Sequence, residues 1–240
     1  MNYVELHLHL LPEIDDGSKS MAETLEMAKA LISLGFSQAA PSPHNRPEYQ
    51  PRQVCVERLE AVQQALDAQG LQLKLHVNSE NFFLDPNLLA HLPTPESRRI
   101  GAAGRYLLVE APYTSPLPSL NDIIFRMKVK GVTPVIAHPE RCIEFEKKGR
   151  AAELVNAGAL LQLDIGALIG RYGKTAQKLA KQFCDEDLYA IAASDLHSPV
   201  GAAQWVGESI AALKKGWGEA RVTKLLAQNP SAILEGREVE

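Results

Sequence analysis

Nine residues of two chemical types recur at the ends of short apolar segments in this chain: His7, His9, Asp16, His44, Glu80, Glu110, His138, Asp195 and His197. Imidazole nitrogen and carboxylate oxygen without thiolate form a donor set suited to Mn, Fe, Zn or Co, and the residue types do not choose among these. A mononuclear site takes only three or four protein ligands, so five histidines and four carboxylates suffice for more than one ion. Closely spaced ions can bind a hydroxide, lower its pKa and neutralise the oxygens of a phosphoryl group during in-line displacement. Arg141, which follows His138-Pro139-Glu140, is placed to add a bidentate contact to a phosphate. The competing role for Arg141 is a surface ion pair with Glu140 or Glu144.

The opening stretch sets the pattern. Alternation from Tyr3 to Leu10 predicts a strand, which projects His7 and His9 from one side. The run breaks at Pro12 into a turn carrying Asp15 and Asp16. A lone His-x-His pair is more often buried and satisfied by backbone carbonyls than metal-bound. Here the other histidines decide: His44, His138 and His197 also follow predicted strands, and only His76, in mid-strand, and His91, in an irregular segment, do not. Those two are expected to be packed or solvent-facing. If one rim gathers the other five, imidazoles and carboxylates without cations would be costly to desolvate together.

The elements that must gather them alternate along the chain. Helices are predicted over 20–34, 51–69, 119–130, 151–156, 175–184 and 201–226, with a short helical tail at 230–234. Strands are predicted over 36–43, 71–77, 106–109, 132–137, 159–165 and 188–193, and 81–104 as a long loop with at most one short helix. Strand and helix alternating about seven times implies a parallel sheet, and at 240 residues a (β/α)7 barrel built as one domain spanning 1–240. A doubly wound open sheet is the structural alternative. In such barrels the chemistry sits at the C-terminal ends of the strands, where these residues fall.

Composition narrows the function further. A formal net charge of -4 and a pI near 6.0 give no basic footprint for nucleic acid. Cys55, Cys142 and Cys184 are widely separated, which suits reduced thiols better than a disulfide framework. None has an arginine six positions on; Ala61, Lys148 and Ala190 stand there, which excludes a Cys-x5-Arg phosphatase loop. P-loop and Gly-x-Ser-x-Gly patterns are also missing. The N-terminus lacks a secretory signal pattern, and the most apolar segment, 157–170, is interrupted by Gln162 and Asp164, well short of the ~18 residues that span a bilayer. A soluble, cytoplasmic protein without direct membrane insertion is expected.

With these residues in view, the chain resembles the polymerase and histidinol phosphatase (PHP) superfamily. Within it, the chain is most similar to bacterial metal-dependent protein-tyrosine phosphatases found with capsule and exopolysaccharide genes. The matching pieces run in order over almost the whole chain: His7-Leu8-His9-Leu10-Leu11-Pro12 with Ile14-Asp15-Asp16-Gly17, Ser42-Pro43-His44, Tyr106 to Glu110, Ala137-His138-Pro139-Glu140-Arg141, Gly166 to Gly170, Ser194-Asp195-Leu196-His197, and Asn229-Pro230 with Ala232 to Gly236. The resemblance implies a distorted seven-stranded barrel holding three metal ions. His7, His9, Glu80 and Asp195 would surround one, Glu80, Glu110 and His138 a second, and Asp16, His44 and His197 a third. Arg141 would contact substrate phosphate, and Asp195 joins it in the catalytic set while serving as a ligand. The implied substrate is a phosphotyrosine protein, a tyrosine kinase that controls polysaccharide assembly. Histidinol phosphate, or a catalytically weakened metal-binding regulatory module, are the alternatives. This chain departs from the family pattern at Glu5, where Asp is usual, at Leu8, where a small polar residue is usual, at Asn78-Ser79, and at Ala202, where an arginine is often found.

Overall fold

The computed structural model describes residues 2–239. Among the described residues, eight parallel strands form two sheets, ordered β1-β2-β3 and β4-β5-β6-β7-β8. They are β1 (Tyr3–Glu5), β2 (Phe36–Ala39), β3 (Lys74–Leu75), β4 (Asn81–Phe82), β5 (Tyr106–Glu110), β6 (Thr133–Ala137), β7 (Leu160–Asp164) and β8 (Tyr189–Ala193). Helices α1 (Met21–Ser33), α2 (Arg52–Ala68), α4 (Leu120–Val129), α5 (Arg150–Asn156), α7 (Gly173–Asp185) and α8 (Ala202–Thr223) connect or follow them. Three short ones, α3 (Leu88–His91), α6 (Ile165–Leu168) and α9 (Asn229–Leu234), complete the set.

Two of the eight strands are halves of one stave. β3 pairs with β2 and β4 with β5, and between them a parallel bridge joins His44 to Glu80. A second bridge, Leu8 to Leu196, joins the stretches that follow β1 and β8. There the His9 amide donates to Leu196 O at 2.9 Å and the Asp195 amide to His7 O at 2.8 Å. These bridges complete a ring of seven staves at the C-terminal rim. The distorted (β/α)7 barrel expected from the sequence is borne out, whereas an open doubly wound sheet would leave its outermost strands apart.

Strand alternation divides the interior. Val4, Leu6, Tyr106, Leu108, Val135, Ala137 and Ile191 form an inner apolar cluster with Ile233 and Leu234 of α9. Leu107, Val109, Ile136, Leu161, Leu163 and Ala192 face the opposite way and join the larger cluster shared with the helices. The inward parity continues upward from the apolar layer to Glu110, Gln162, Asp164 and Asp195. The rim is thus polar because the same faces that are apolar below end in acids and amides.

The structure corrects four sequence expectations. The first strand stops at Glu5 instead of continuing to Leu10, because the Glu5 carboxylate accepts the amides of His7 (2.9 Å) and Ser194 (3.0 Å), taking the place of ladder partners. Leu6 keeps the inward phase of Val4 in the inner apolar cluster, and the phase changes after it, so that His7 also turns inward to the polar rim. β3 is two residues long instead of seven, and the supposed loop 81–104 contains β4, α3 and a 3-10 turn at Pro95–Ser97. The last long helix is interrupted at Gly218, whose φ of +82° suits glycine, and is followed by a π turn over Lys224–Gln228. The three cysteines are buried and unpaired. Among the described residues no helix is long and apolar enough to cross a membrane.

Candidate metal centre

Glu80 sits at the middle of the rim. Its Oε1 lies 3.3 Å from His7 Nε2 and 3.0 Å from His138 Nε2, and its Oε2 lies 2.9 Å from His44 Nδ1 and 3.7 Å from His9 Nε2. Asp195 Oδ1 approaches His7 Nε2 at 3.2 Å and His9 Nε2 at 3.4 Å. Farther out, Asp16 Oδ1 is 3.4 Å from His44 Nε2 and 3.5 Å from His197 Nε2. All nine sequence candidates are therefore brought together. Their donor atoms fall into four overlapping groups: His7, His9 and Asp195; His7, Glu80 and His138; His44, Glu80 and Glu110; and His9, Asp16, His44 and His197. The groups do not coincide with those implied by the resemblance: Glu80 is not in the group of His7, His9 and Asp195, and His9 joins Asp16, His44 and His197. Glu110 gathers with Glu80 and His44 and not with His138, because its carboxylate is turned toward the Arg46 guanidinium, with which it forms an ion pair.

The chain fixes the outer sides of these ligands. His9 Nδ1 is 2.7 Å from Asp15 Oδ2, His7 Nδ1 is 2.7 Å from Gln162 Oε1, and His197 Nδ1 is 2.8 Å from the Asp195 carbonyl. Each contact leaves Nε2 for the centre and orients the ring. Asp15 also accepts the His44 and Gly17 amides at 3.0 Å. A Cβ at Gly17 would collide with the His9 carbonyl, which is why the turn bearing Asp15 and Asp16 closes on glycine. His138 and Asp195 adopt left-handed backbone, with φ of +32° and +51°. Such conformations are uncommon outside glycine and concentrate at functional sites.

Buried atoms without hydrogen bonds converge here: His7 Nε2, His9 Nε2, His44 Nδ1, His138 Nδ1 and Asp195 Oδ1. Orphaned buried polar atoms are rare, and nitrogen lone pairs facing carboxylate oxygens require positive charge between them. In the chain alone, protons supply that charge. Burial pulls His7, His9 and His44 down, but Glu80, Asp195, Asp15 and Asp16 overcome it and raise them to about 10, 8 and 9. Burial opposes ionisation of Glu80 and Asp195, yet the histidines hold both well below the carboxylate range. His138 is the exception, lowered to about 4 by burial and by Arg141. A donor set that attracts protons this strongly fits divalent cations, which would take their place.

Arg141 pairs with neither Glu140 nor Glu144. Its Nη1 donates to Asp195 Oδ2 (2.5 Å) and Asp164 Oδ2 (3.0 Å), and its Nη2 donates to Tyr113 Oη (3.0 Å). The guanidinium lies 4.2 Å from the Tyr172 ring centroid and 5.0 Å from that of Tyr113. Glu140 instead accepts the Asp164 amide and contacts Tyr189 Oη, while Glu144 pairs with Arg150. A cavity of about 330 Å3 lined by Tyr113, Arg141, Tyr172 and Thr175 opens beside this guanidinium. A larger one, about 460 Å3, lies between α2 and the 92–102 segment and contains none of the nine ligand candidates.

Sequence reasoning missed Arg46, Tyr113, Gln162, Asp164 and Tyr172, and singled out Asp15 only as a carboxylate of the turn, without its contact to His9. For Gln162 and Asp164 a signal existed: both interrupt an apolar run at the inward parity of β7. Ala202, where the resemblance leads to an arginine, is buried at the first turn of α8.

Residues 3–235 match the model of the family described as capsular polysaccharide synthesis, CpsB/CapC. The chain belongs to the CpsB/CapC family. A putative tyrosine-protein phosphatase CapC of Staphylococcus aureus is 30% identical over 199 residues, covering 81% of this chain and 77% of that protein. The tyrosine-protein phosphatase YwqE of Bacillus subtilis (strain 168) is 26% identical over 98% of this chain and 93% of its own. In three dimensions the chain superposes with a TM-score of 0.89, at 24% identity and over 99% of its length and 96% of the other, on a crystal structure from work on YwqE and on CpsB from Streptococcus pneumoniae, described as metal-dependent tyrosine phosphatases. A β-aspartyl dipeptidase from Fervidobacterium islandicum shares the fold more distantly, with a TM-score of 0.59 at 14% identity over 97% of this chain and 72% of that one.

Proposed function

We propose that this CpsB/CapC chain is, as one domain, a metal-dependent phosphomonoesterase. It acts in the cytoplasm on phosphotyrosine proteins, in particular a tyrosine kinase governing capsular or exopolysaccharide assembly. The observation that carries the reading is the convergence of nine nitrogen and oxygen donors beside the fixed guanidinium of Arg141. On the grouping that the resemblance implies, His7, His9, Glu80 and Asp195 would hold one cation, Glu80, Glu110 and His138 a second, and Asp16, His44 and His197 a third, with Glu110 turning from Arg46 to join His138. When bound, such ions supply an activated water and neutralise phosphoryl oxygens.

The chain's own residues supply the rest. Arg141 stays charged because the Asp195 and Asp164 carboxyl groups outweigh its burial. A guanidinium oriented beforehand by two carboxylates and two aromatic rings can receive phosphate without reorganisation. Tyr113 and Tyr172 keep their protons, since burial and the nearby acids push both hydroxyls up. The same rings give the cavity beside Arg141 aromatic walls suited to a phenyl phosphate. A phenolate, with a pKa near ≈ 10, leaves without a dedicated acid, so no residue is assigned that role.

The test is metal content per chain measured together with Mn-supplemented hydrolysis of a phosphotyrosine peptide and of histidinol phosphate. About three ions and preference for the peptide are expected, with turnover lost in H9A and H138A while the fold persists. Preference for histidinol phosphate would move the substrate class, and full activity in a metal-depleted variant would end the reading.

A further inference from the structure

Arg46 lies two residues beyond His44, on a loop held rigidly against the rim. The Asn45 amide donates to Glu80 O at 2.8 Å, and Asn45 Nδ2 donates to Asn81 Oδ1 (2.8 Å) and Glu96 O (2.9 Å). The Tyr49 amide turns back to Arg46 O at 3.1 Å, and the Tyr49 ring stacks on His44 with centroids 5.3 Å apart. The guanidinium of Arg46 rests over the Phe82 ring at 4.5 Å and pairs with Glu110, whose donor atom belongs to the group shared with Glu80 and His44. Arg46 Nε is buried and makes no hydrogen bond. A buried N–H of a charged group left without an acceptor is costly and points to a group the chain itself does not provide.

Glu110 cannot fully serve two positive charges. A cation held through Glu110 would weaken the hold of that carboxylate on Arg46, while the Phe82 face and the anchored loop keep the guanidinium at the edge of the cluster. Arg46 would then present unpaired N–H groups on the Glu110 side, across the ligand cluster from Arg141 on the Asp195 side. We infer that Arg46 is a second phosphate-binding residue, which grips the oxygens of the substrate phosphoryl group from the side of the rim opposite Arg141. This inference rests on the phosphomonoesterase reading and adds a residue to it. Stacking on an aromatic face together with planar, forked donors is a combination that arginine offers and lysine does not.

The experiment compares wild type, R46A and R46K, each loaded with Mn. It measures metal per chain, the dissociation constant of inorganic phosphate by equilibrium dialysis, and kcat and KM for a phosphotyrosine peptide. R46A is expected to keep its metal and to weaken phosphate binding and kcat/KM by about ten- to a hundredfold, the scale of one or two lost charge-assisted hydrogen bonds. R46K should recover part of the charge effect and remain weaker than wild type. Unchanged phosphate affinity in R46A would overturn the inference and leave Arg46 a counter-ion for Glu110. Loss of metal in proportion to loss of phosphate binding would overturn it too, since Arg46 would then serve the ligand scaffold. A wild-type protein that neither binds phosphate nor hydrolyses the peptide would remove the phosphomonoesterase reading itself, an outcome distinct from the other two.

Discussion

Loading this protein with divalent cations should release roughly three protons per chain near pH 7.5. In the cation-free chain His7, His9 and His44 are raised to about 10, 8 and 9, because neighbouring carboxylates outweigh the burial that would discharge them. At pH 7.5 the first and last are then almost fully charged and His9 mostly so. His138, lowered to about 4, has no proton to give. A metal requires the imidazole lone pair, so each of the three must lose its proton on binding. The assay is titration of chelator-treated protein with Mn in weakly buffered solution, counting base consumed at constant pH. Release of less than about one proton per chain would refute the reasoning, since the imidazoles would have been neutral beforehand. The same raised values set the stability of the cation-free chain. Their folded values exceed the ≈ 6.5 of an unfolded histidine, so the stabilisation is complete below that pH and is lost as pH rises through 8 to 10. Thermal melts of chelated protein should fall across that window, and melts of loaded protein should fall much less.

Two further substitutions probe the groups behind the ligands. Q162L and D15A remove the acceptors at His7 Nδ1 and His9 Nδ1, and each should weaken cation affinity by about 10- to 100-fold, measured against a competing chelator. Glu140 is pushed up to about 8 by burial and by Asp164, so its contribution is full below the unfolded carboxyl value of ≈ 4.3 and is lost as pH rises through 8. E140Q should therefore gain in melting temperature relative to wild type as pH rises from 5 to 9, by the equivalent of roughly a few kcal/mol; a difference independent of pH would contradict this.

Much of the site could be read from strand ends. Glu110, His138 and Asp195 each follow a run of buried apolar residues, and parallel barrel topology brings such positions to one rim. What alternation could not show was where the period fails. The Glu5 carboxylate, by accepting two backbone amides, ends β1 early and turns Leu6 and His7 to the same interior. The interrupted stave β3–β4 was hidden for a related reason: His44 and Glu80 meet through a single bridge, too short to leave a strand pattern. Arg46, Tyr113 and Tyr172 were missed because their roles come from contacts with residues distant in sequence, such as Phe82 and Arg141. The turn containing Asp15 was recognised, but hydrogen bonding to a ligand from behind has no spacing rule.

The seam between Leu8 and Leu196 has a consequence for how the protein is made. The Glu5–Ser194 hydrogen bond beside it joins residues 189 positions apart, so the seam cannot close until the chain between them has been made and the last stave is in place. Contacts of such long range form late, because the entropy of closing the intervening chain must be met first. His7 and His9 are made long before Asp195 and His197. The complete set of nine donors therefore comes together only once the seam has closed, and cations that need the whole set would be bound after that.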